Sequence, residues 1–225
     1  MGKHFSLTSA DSFKFGAYRA DPTGAAKGGI VLIQEIFGVN HHIRAVCDRL
    51  AGEGYAALAP AVFDRQQPNF ECGYTPDEIA NARKFVANPD WGAMLRDTQA
   101  AIDELKKEGP VAIMGFCMGG TIAFLAACKL NGLSAAVCYY GGQIAKNADE
   151  KPKVPTQMHF GDKDASIPMS DVEIIKKKRG GDSEIYVYPD AQHGFHCDER
   201  GSFHGASAKA AWARAMDFLK KHVKK

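Results

Sequence analysis

Short apolar runs typical of buried strands alternate with segments of helical spacing along most of this 225-residue chain. The run "GGIVLIQE" at residues 28–35 is continuously apolar between its glycines and its polar end, as in strands that are buried on both faces. Residues 41–53 then repeat apolar side chains at helical spacing before Gly54 ends the segment. This alternation predicts a parallel sheet with helices on both sides, preceded by a β-hairpin over residues 4–21.

The later segments continue the alternation without an internal repeat, a low-complexity stretch or a linker. We predict further strands over residues 55–60, 110–116, 133–141, 154–162 and 183–190. We predict further helices over residues 75–86, 90–107, 117–130, 168–178 and 207–222. The length suits one α/β domain, so we expect residues 1–225 to form a single domain.

The composition argues against several classes of partner. With 28 basic and 26 acidic side chains the net charge is only +2, which is not typical of a protein that binds nucleic acid. No apolar stretch approaches the ~20 residues of a membrane span, and the N-terminal residues lack the apolar region of a signal peptide. The six cysteines form no CxxC pair, which favours reduced thiols over a disulfide framework. We therefore expect a cytoplasmic monomer without a nucleic-acid or membrane partner.

The pentapeptide "GFCMG" at residues 115–119 lies where a predicted strand meets a predicted helix. It matches the pattern Gly-x-nucleophile-x-Gly, in which the glycines allow a tight turn and close packing of the strand against the helix. Such a turn would place the Cys117 thiol at a helix N-terminus, where exposed N–H groups favour a thiolate. The backbone N–H of Met118 would then face a developing oxyanion. A buried cysteine in a close-packed glycine turn fits the pentapeptide alone equally well.

Two later loops carry a carboxylate and a histidine directly after predicted strands. The segment "HFGDKDASIP" places Asp162 and Asp164 after one strand, and "YPDAQHGF" places His193 after the last. A histidine there can accept the thiol proton, and a carboxylate at its other nitrogen would fix the tautomer of the ring. Nucleophile, acid and histidine in that chain order match a catalytic triad of the α/β-hydrolase type. We favour Asp164 because it lies deeper in its loop, and we expect His196 and His204 at the surface or in a substrate loop.

The segment "LIQEIFGVNHHIR" ends a predicted strand with a carboxylate. Glu35 follows an apolar run, where a charged residue needs a partner or a function. One interpretation is an ion pair with a nearby arginine such as Arg44, and the other is a role in the chemistry. The N–H of Ile36 would supply a second oxyanion donor. The adjacent His41 and His42 leave a helix in different directions, so we expect no metal site from them, although one of them could cap the helix.

Five segments together resemble the dienelactone hydrolase family, also called carboxymethylenebutenolidase: "QEIFGVN", "GFCMGG", "YYG", "HFGDKDASIP" and "AQHGFHCDER". The resemblance extends from about Asp11 to Leu219. It implies a three-layer α/β-hydrolase fold with a mostly parallel central sheet, helices on both faces and no cofactor. It also implies a Cys-Asp-His triad, which falls on Cys117, Asp164 and His193.

The resemblance implies a role for Glu35 as well. In the family the resting thiol is hydrogen-bonded to this carboxylate, which takes the thiol proton when an anionic substrate binds. The thiolate, held as an ion pair with the histidine, then attacks the lactone carbonyl. The ring opens to give an acyl-enzyme, and the departing enolate helps to activate the water that hydrolyses it. The name reaction of the family yields maleylacetate, an intermediate in the breakdown of chloroaromatic compounds.

The arginines that bind the substrate carboxylate depart from the family pattern. One family arginine lies four residues after the triad histidine, where this chain has Cys197, and Arg200 follows three residues later. The other lies in the helix before the long central helix, where Arg83 is the candidate. Each of these arginines can bind a carboxylate or be a solvated surface cation. We also assign Phe37 to the substrate pocket.

The sequence therefore predicts a thiol hydrolase that acts on a small lactone or ester bearing a carboxylate. A general carboxylesterase for small acyl groups is the alternative within the same class. A peroxide-reactive redox protein is disfavoured because the sequence offers no convincing resolving cysteine for Cys117. A non-catalytic binding protein of this fold is disfavoured because it would not need nucleophile, acid, base and oxyanion loop together.

Overall fold

The computed structural model describes residues 2–224 and contains an eight-stranded sheet in the order β1-β2-β4-β3-β5-β6-β7-β8. The strands are β1 Lys3–Thr8, β2 Lys14–Ala20, β3 Gly29–Ile33, β4 Ala56–Pro60, β5 Val111–Phe116, β6 Leu133–Tyr139, β7 Thr156–Gly161 and β8 Ser183–Tyr188. The β1–β2 hairpin and the β2–β4 pair are antiparallel, and every pair from β4 to β8 is parallel. The predicted hairpin and mostly parallel sheet are therefore confirmed.

Six α-helices cover the sheet. They are α1 His41–Gly52, α2 Pro76–Lys84, α3 Trp91–Leu105, α4 Met118–Lys129, α5 Met169–Arg179 and α6 Gly205–His222. Helices α3 and α4 pack together on one face, while α1 and α6 line a common cleft on the other. The predicted three-layer α/β fold is confirmed, and the predicted ends of its elements are correct to within two residues.

Side-chain hydrogen bonds cap the N-termini of helices α1 and α2. Thr75 and Glu78 form a reciprocal capping box at the start of α2, ahead of Pro76 at the first helical position. At the start of α1 the cap is Asn40, whose side-chain oxygen accepts a hydrogen bond from the Ile43 N–H at 3.3 Å. The expectation that one of the two adjacent histidines could cap this helix was therefore wrong.

The centre of the molecule is formed by β3, β5 and α4. Every residue of the two strands is buried, as is every residue of α4 from Met118 to Cys128. This burial explains why these segments are apolar on all sides. Within residues 2–224 we found no helix with the length and apolar character needed to cross a bilayer.

The strand order fixes where the polar loops meet. Strands β3 and β5 are neighbours at the centre, and β7 and β8 follow β6 along the same parallel run. The carboxyl ends of parallel strands lie at one edge of a sheet, so the loops after Ile33, Phe116, Gly161 and Tyr188 share that edge. The predicted functional residues lie in these loops or at the start of the following helix, except Arg83, which lies near the end of α2.

Gly119 allows the first turn of α4 to approach the end of β3. A methyl group at position 119 would lie 2.4 Å from the carbonyl oxygen of Ile33 and 2.5 Å from that of Gln34. We expect Gly119→Ala to lower the free energy of unfolding by about 3 kcal/mol, because backbone atoms must move to relieve the clash. Urea denaturation would measure the change. Gly52→Ala is the matched control, since no atom lies within 4 Å of its added methyl group, and an equal loss there would contradict the clash.

Candidate active site

Cys117 occupies a strained turn between β5 and α4. Its backbone has φ 56° and ψ −117°, a conformation that side chains disfavour. Its N–H donates to the Tyr139 carbonyl at 3.0 Å, and its own carbonyl accepts from the Gly120 N–H at 3.0 Å. Gly115 completes the turn, because a methyl group there would lie 2.0 Å from the Gly119 carbonyl oxygen. The turn raises the half-buried Cys117 thiol at the N-terminus of α4, which begins one residue later than predicted.

His193 connects the thiol to a buried carboxylate. Its Nε2 lies 3.1 Å from Cys117 Sγ, and its Nδ1 lies 2.7 Å from Asp164 Oδ2. Asp164 is 4% exposed, and its other oxygen accepts hydrogen bonds from the N–H groups of Ser166 at 2.8 Å and Ile167 at 3.1 Å. The same carboxylate therefore closes an Asx turn and orients the imidazole. The structure brings Asp164, and not Asp162, to His193.

The two later histidines have structural surroundings. His196 is 4% exposed, its ring stacks on Phe116 with centroids 5.0 Å apart, and its Nε2 lies 3.1 Å from Arg49 Nη2. The expectation that His196 lies at the surface or in a substrate loop was wrong, because its ring is buried against Phe116 at the end of β5. His204 precedes α6 and places its Nδ1 2.7 Å from the Ser207 hydroxyl.

Glu35 is 1% exposed and pairs with an arginine distant in sequence. Arg200 Nη1 donates to Glu35 Oε1 at 3.0 Å, and the guanidinium lies 5.3 Å from the ring centre of Phe37 and 5.9 Å from that of Tyr74. Arg44, the partner considered from the sequence, instead donates to the Val39 carbonyl and pairs with Glu71. The ion-pair interpretation of Glu35 thus holds with a different arginine.

The resemblance implies a thiol that is hydrogen-bonded to Glu35, and the structure shows another arrangement. Among the hydrogen bonds of residues 2–224, that of Cys117 Sγ is to His193 and that of the Glu35 carboxylate is to Arg200. The Cys117 thiol is therefore positioned for direct proton exchange with the His193 imidazole. The Glu35 carboxylate is instead paired with the Arg200 guanidinium.

A cavity of about 580 Å³ opens onto this group. Cys117, His193 and Arg200 lie on its wall, together with Phe37, which the sequence assigned to the pocket. An apolar part of the wall comes from α2, the segment that follows it and the first residue of α3: Ile79, Val86, Ala87, Pro89 and Trp91. Arg83 also lines the cavity, is exposed, and has no ion-pair partner in the described part of the chain.

Two residues that line the same cavity have backbone N–H groups without an acceptor among the described residues. Ile36 and Met118 both line it, and the N–H of neither donates to an acceptor among the described residues. They belong to the loops after β3 and β5, which are neighbouring strands. Free N–H groups from adjacent loops can together stabilise an oxyanion that develops near Cys117.

A model described as the dienelactone hydrolase family matches residues 15–223. The chain belongs to the dienelactone hydrolase family. It is 37% identical over 232 residues to a Synechocystis sp. protein named as a candidate carboxymethylenebutenolidase, covering 95% of this chain and 94% of that one. It is 32% identical over 223 residues to the carboxymethylenebutenolidase of Pseudomonas putida, with the same coverage of both.

Solved structures agree with this membership of the dienelactone hydrolase family. A crystal structure named as a candidate dienelactone hydrolase from Klebsiella pneumoniae superposes with a TM-score of 0.84 at 31% identity. The match covers 97% of this chain and 99% of that one. The protein is therefore a hydrolase that acts on ester or lactone bonds.

Sequence analysis of this dienelactone hydrolase family member assigned no role to two tyrosines at the site, Tyr140 and Tyr74. Tyr140 packs edge-to-face on the His193 ring with centroids 5.1 Å apart, and the segment "YYG" marked it without assigning a role. The Tyr74 hydroxyl interacts with Asn40 Nδ2 at 3.0 Å and Cys197 Sγ at 3.3 Å. No pattern in the sequence pointed to Tyr74, because its loop meets the site only in the folded chain.

The charge state of His193 gives a direct test of its contact with Cys117. Burial of the ring favours the neutral form, but the charge on Cys117 and the hydrogen bonds to Asp164 and Cys117 outweigh it and raise the pKa of His193 to about 10. We expect Cys117→Ala to lower this pKa strongly, because it removes the Cys117 charge. A pH titration of the histidine ring NMR signals would measure the shift, with Cys72→Ala as the control thiol variant.

The raised pKa of His193 also predicts how the stability of the fold changes with pH. Because the pKa of His193 in the folded state exceeds the usual value of 6.5, its stabilising contribution is complete below about pH 6.5 and is lost as the pH rises through about 10. An unchanged His193 titration midpoint in Cys117→Ala would contradict the contribution of Cys117 to the raised pKa of His193.

Proposed function

We propose that this protein is a cysteine-dependent hydrolase that opens a carboxylate-bearing lactone, of dienelactone type giving maleylacetate, through an acyl-enzyme on Cys117. The observation that carries the proposal is the Cys117–His193–Asp164 chain of contacts, with 3.1 Å from sulfur to imidazole and 2.7 Å from imidazole to carboxylate. Thiol, base and orienting acid at these distances are the requirements of nucleophilic catalysis.

The steps of the reaction follow from the positions of the groups. His193 holds the thiol proton, and the Cys117 thiolate attacks the carbonyl carbon of the lactone. The N–H groups of Met118 and Ile36 stabilise the resulting oxyanion. Collapse of this intermediate breaks the ring C–O bond, leaving an acyl-enzyme and an enolate. The enolate then takes a proton from water, the resulting hydroxide attacks the thioester, and the departing Cys117 thiolate takes its proton back from His193.

Arg200 is the group proposed to recognise the substrate carboxylate. Arg200 lies on the cavity wall, and the parallel N–H donors of its guanidinium suit the two oxygens of a carboxylate. The ion pair with Glu35 keeps the guanidinium charged and holds its orientation. A substrate carboxylate would compete with Glu35 for the guanidinium. The family resemblance implies that the freed Glu35 takes the thiol proton, whereas the contacts of this chain favour His193 as its acceptor. Arg83 at the outer wall is the second proposed contact.

A general carboxylesterase for small acyl groups is the second candidate. The apolar outer wall formed by Ile79, Val86 and Trp91 favours it, because such a wall would accept an uncharged acyl chain. The expected monomeric state, cytoplasmic location and lack of a cofactor stay predictions.

The test compares cis-dienelactone with its methyl ester, which keeps the lactone ring and removes the charge. We expect kcat/KM for the free acid to exceed that for the methyl ester by about 10- to 100-fold, the contribution of a charged hydrogen bond. p-Nitrophenyl acetate reports on the uncharged esterase reaction in the same protein. Equal turnover of acid and methyl ester would replace the carboxylate-specific function by the general esterase, and no turnover of any of the three would overturn both.

A further inference from the structure

Tyr140 is a buried tyrosine whose hydroxyl has no hydrogen-bond partner. The residue directly follows β6, is 0% exposed, and its hydroxyl oxygen has no partner within residues 2–224. Its backbone has φ 37°, in the left-handed region that side chains disfavour. Buried polar groups nearly always have a partner, and backbone strain of this kind is concentrated at functional sites. Both costs fall on one residue, which points to a partner that the hydroxyl meets in another state of the site.

The Tyr140 ring lies against the loop that carries His193. Its ring centre is 5.1 Å from that of His193 and 5.4 Å from that of Phe195. Between these two residues is Gly194, with φ 79°. The Arg200 guanidinium packs directly on this glycine, because a methyl group there would lie 2.3 Å from Arg200 Nη1. Arg200 therefore contacts the backbone between the two residues whose rings contact Tyr140.

The same guanidinium nitrogen is bound to Glu35. Arg200 Nη1 donates to Glu35 Oε1 at 3.0 Å, which is the hydrogen bond of this carboxylate within the described part of the chain. Burial and the charge of Glu35 hold the pKa of the Tyr140 hydroxyl well above its ordinary value of 10. The hydroxyl therefore keeps its proton at neutral pH, and it interacts with the charge of Glu35.

Binding of a substrate carboxylate changes the partners of Glu35. A substrate that takes Arg200, as in the proposed function, weakens the ion pair that this arginine makes with Glu35. Because Glu35 is 1% exposed, losing this partner would leave a charge where water does not reach. An O–H donor to the carboxylate offsets that loss and keeps the carboxylate ionised. The thiol proton then stays with His193.

We propose that Tyr140 is a positioning residue whose hydroxyl donates to Glu35 when a substrate carboxylate binds Arg200. This step rests on the proposed function, because it needs a charged substrate. No proton is transferred: Tyr140 gains a hydrogen bond for its unbonded O–H, and Glu35 exchanges one partner for another. The neighbouring Tyr139 is the matched control, because its equally buried hydroxyl already donates to the Ala211 carbonyl at 3.3 Å.

The first test needs no substrate and compares Tyr140→Phe in the wild-type and Arg200→Met backgrounds by thermal unfolding. In the wild type the change removes an unbonded hydroxyl, so we expect the Tm to rise by about 2–4 °C. In Arg200→Met the hydroxyl is the donor left to Glu35, so the same change should lower the Tm. Tyr139→Phe should lower the Tm equally in both backgrounds. An equal Tm shift of Tyr140→Phe in the two backgrounds would overturn the proposal.

The second test keeps Arg200 and measures kcat/KM for cis-dienelactone and for its methyl ester. We expect Tyr140→Phe to lower the ratio of the acid value to the ester value at least about tenfold, the contribution of a hydrogen bond to a charged group. Tyr139→Phe should leave this ratio unchanged.

The two tests separate the failure of this inference from the failure of the proposed function. A wild type that prefers the acid, with the same preference in Tyr140→Phe, would overturn the role of Tyr140 and leave the proposed function intact. A wild type without that preference would overturn the proposed function and the substrate-dependent step with it. The thermal comparison would still decide whether Tyr140 is the second partner of Glu35.

Discussion

Cys117→Ala should lower kcat/KM for every ester or lactone substrate by at least about a thousandfold while the fold is kept. Loss of a triad nucleophile leaves only binding and oxyanion stabilisation, which account for a small part of the rate. The Cys117 side chain is half-buried and contacts His193 at the wall of the cavity, so its replacement by alanine removes few packing contacts from the core. Steady-state kinetics, with circular dichroism and thermal unfolding as checks on the fold, would measure both effects.

Cys117→Ser separates a thiolate mechanism from a hydroxyl one. The hydroxyl is less acidic than the thiol by many orders of magnitude, so a serine side chain would not supply the negative charge that raises the pKa of His193. We expect the serine variant to fall far below the wild type. A well-folded alanine variant that retained turnover would refute Cys117 as the nucleophile, and a serine variant equal to wild type would refute the thiolate.

Arg200→Met should destabilise the fold as well as weaken the binding of charged substrates. It leaves the Glu35 carboxylate, which is 1% exposed, without its hydrogen-bonded cation. Breaking a buried ion pair in this way costs about 3 kcal/mol, because an uncompensated charge stays in a place that water does not reach. Urea denaturation would measure the loss, and KM for cis-dienelactone should rise while KM for p-nitrophenyl acetate changes little.

A double variant makes this prediction specific to the Glu35–Arg200 pair. Glu35→Gln in the Arg200→Met background removes the unpaired charge and should restore a large part of the lost stability. Arg44→Met, which breaks the more exposed pair with Glu71, should cost less than about 1 kcal/mol. Equal losses in the two single arginine variants, or no recovery in the double variant, would contradict the burial argument.

The sequence predicted the fold well because its signals are local and repeated. Apolar runs, helical spacing and the cap at Thr75 each depend on a few adjacent residues, and the parallel sheet follows from their alternation. The juxtaposition of Cys117, Asp164 and His193 could also be predicted, since parallel strands bring their carboxyl ends to one edge. The family membership was predicted from the same loops.

Side-chain partners were harder to predict, because they depend on distances that no local pattern encodes. Glu35 pairs with Arg200 across 165 positions, and Arg44, only nine positions away, lies on α1 and faces Glu71. His196, three residues after His193, is turned into the core and stacks on Phe116. The cap of α1, expected from one of the two histidines, is Asn40.

The strained backbone of Cys117 has a consequence for engineering. Glycine adopts a φ of 56° with a ψ of −117° at little cost, whereas any side chain there loses on the order of 1–3 kcal/mol. Cys117→Gly should therefore unfold at a higher temperature than Cys117→Ala, because neither variant keeps the contact with His193. Among variants that lack the thiol, a library selected for heat resistance alone would favour glycine at this position, so directed evolution of this chain needs a turnover screen in every round.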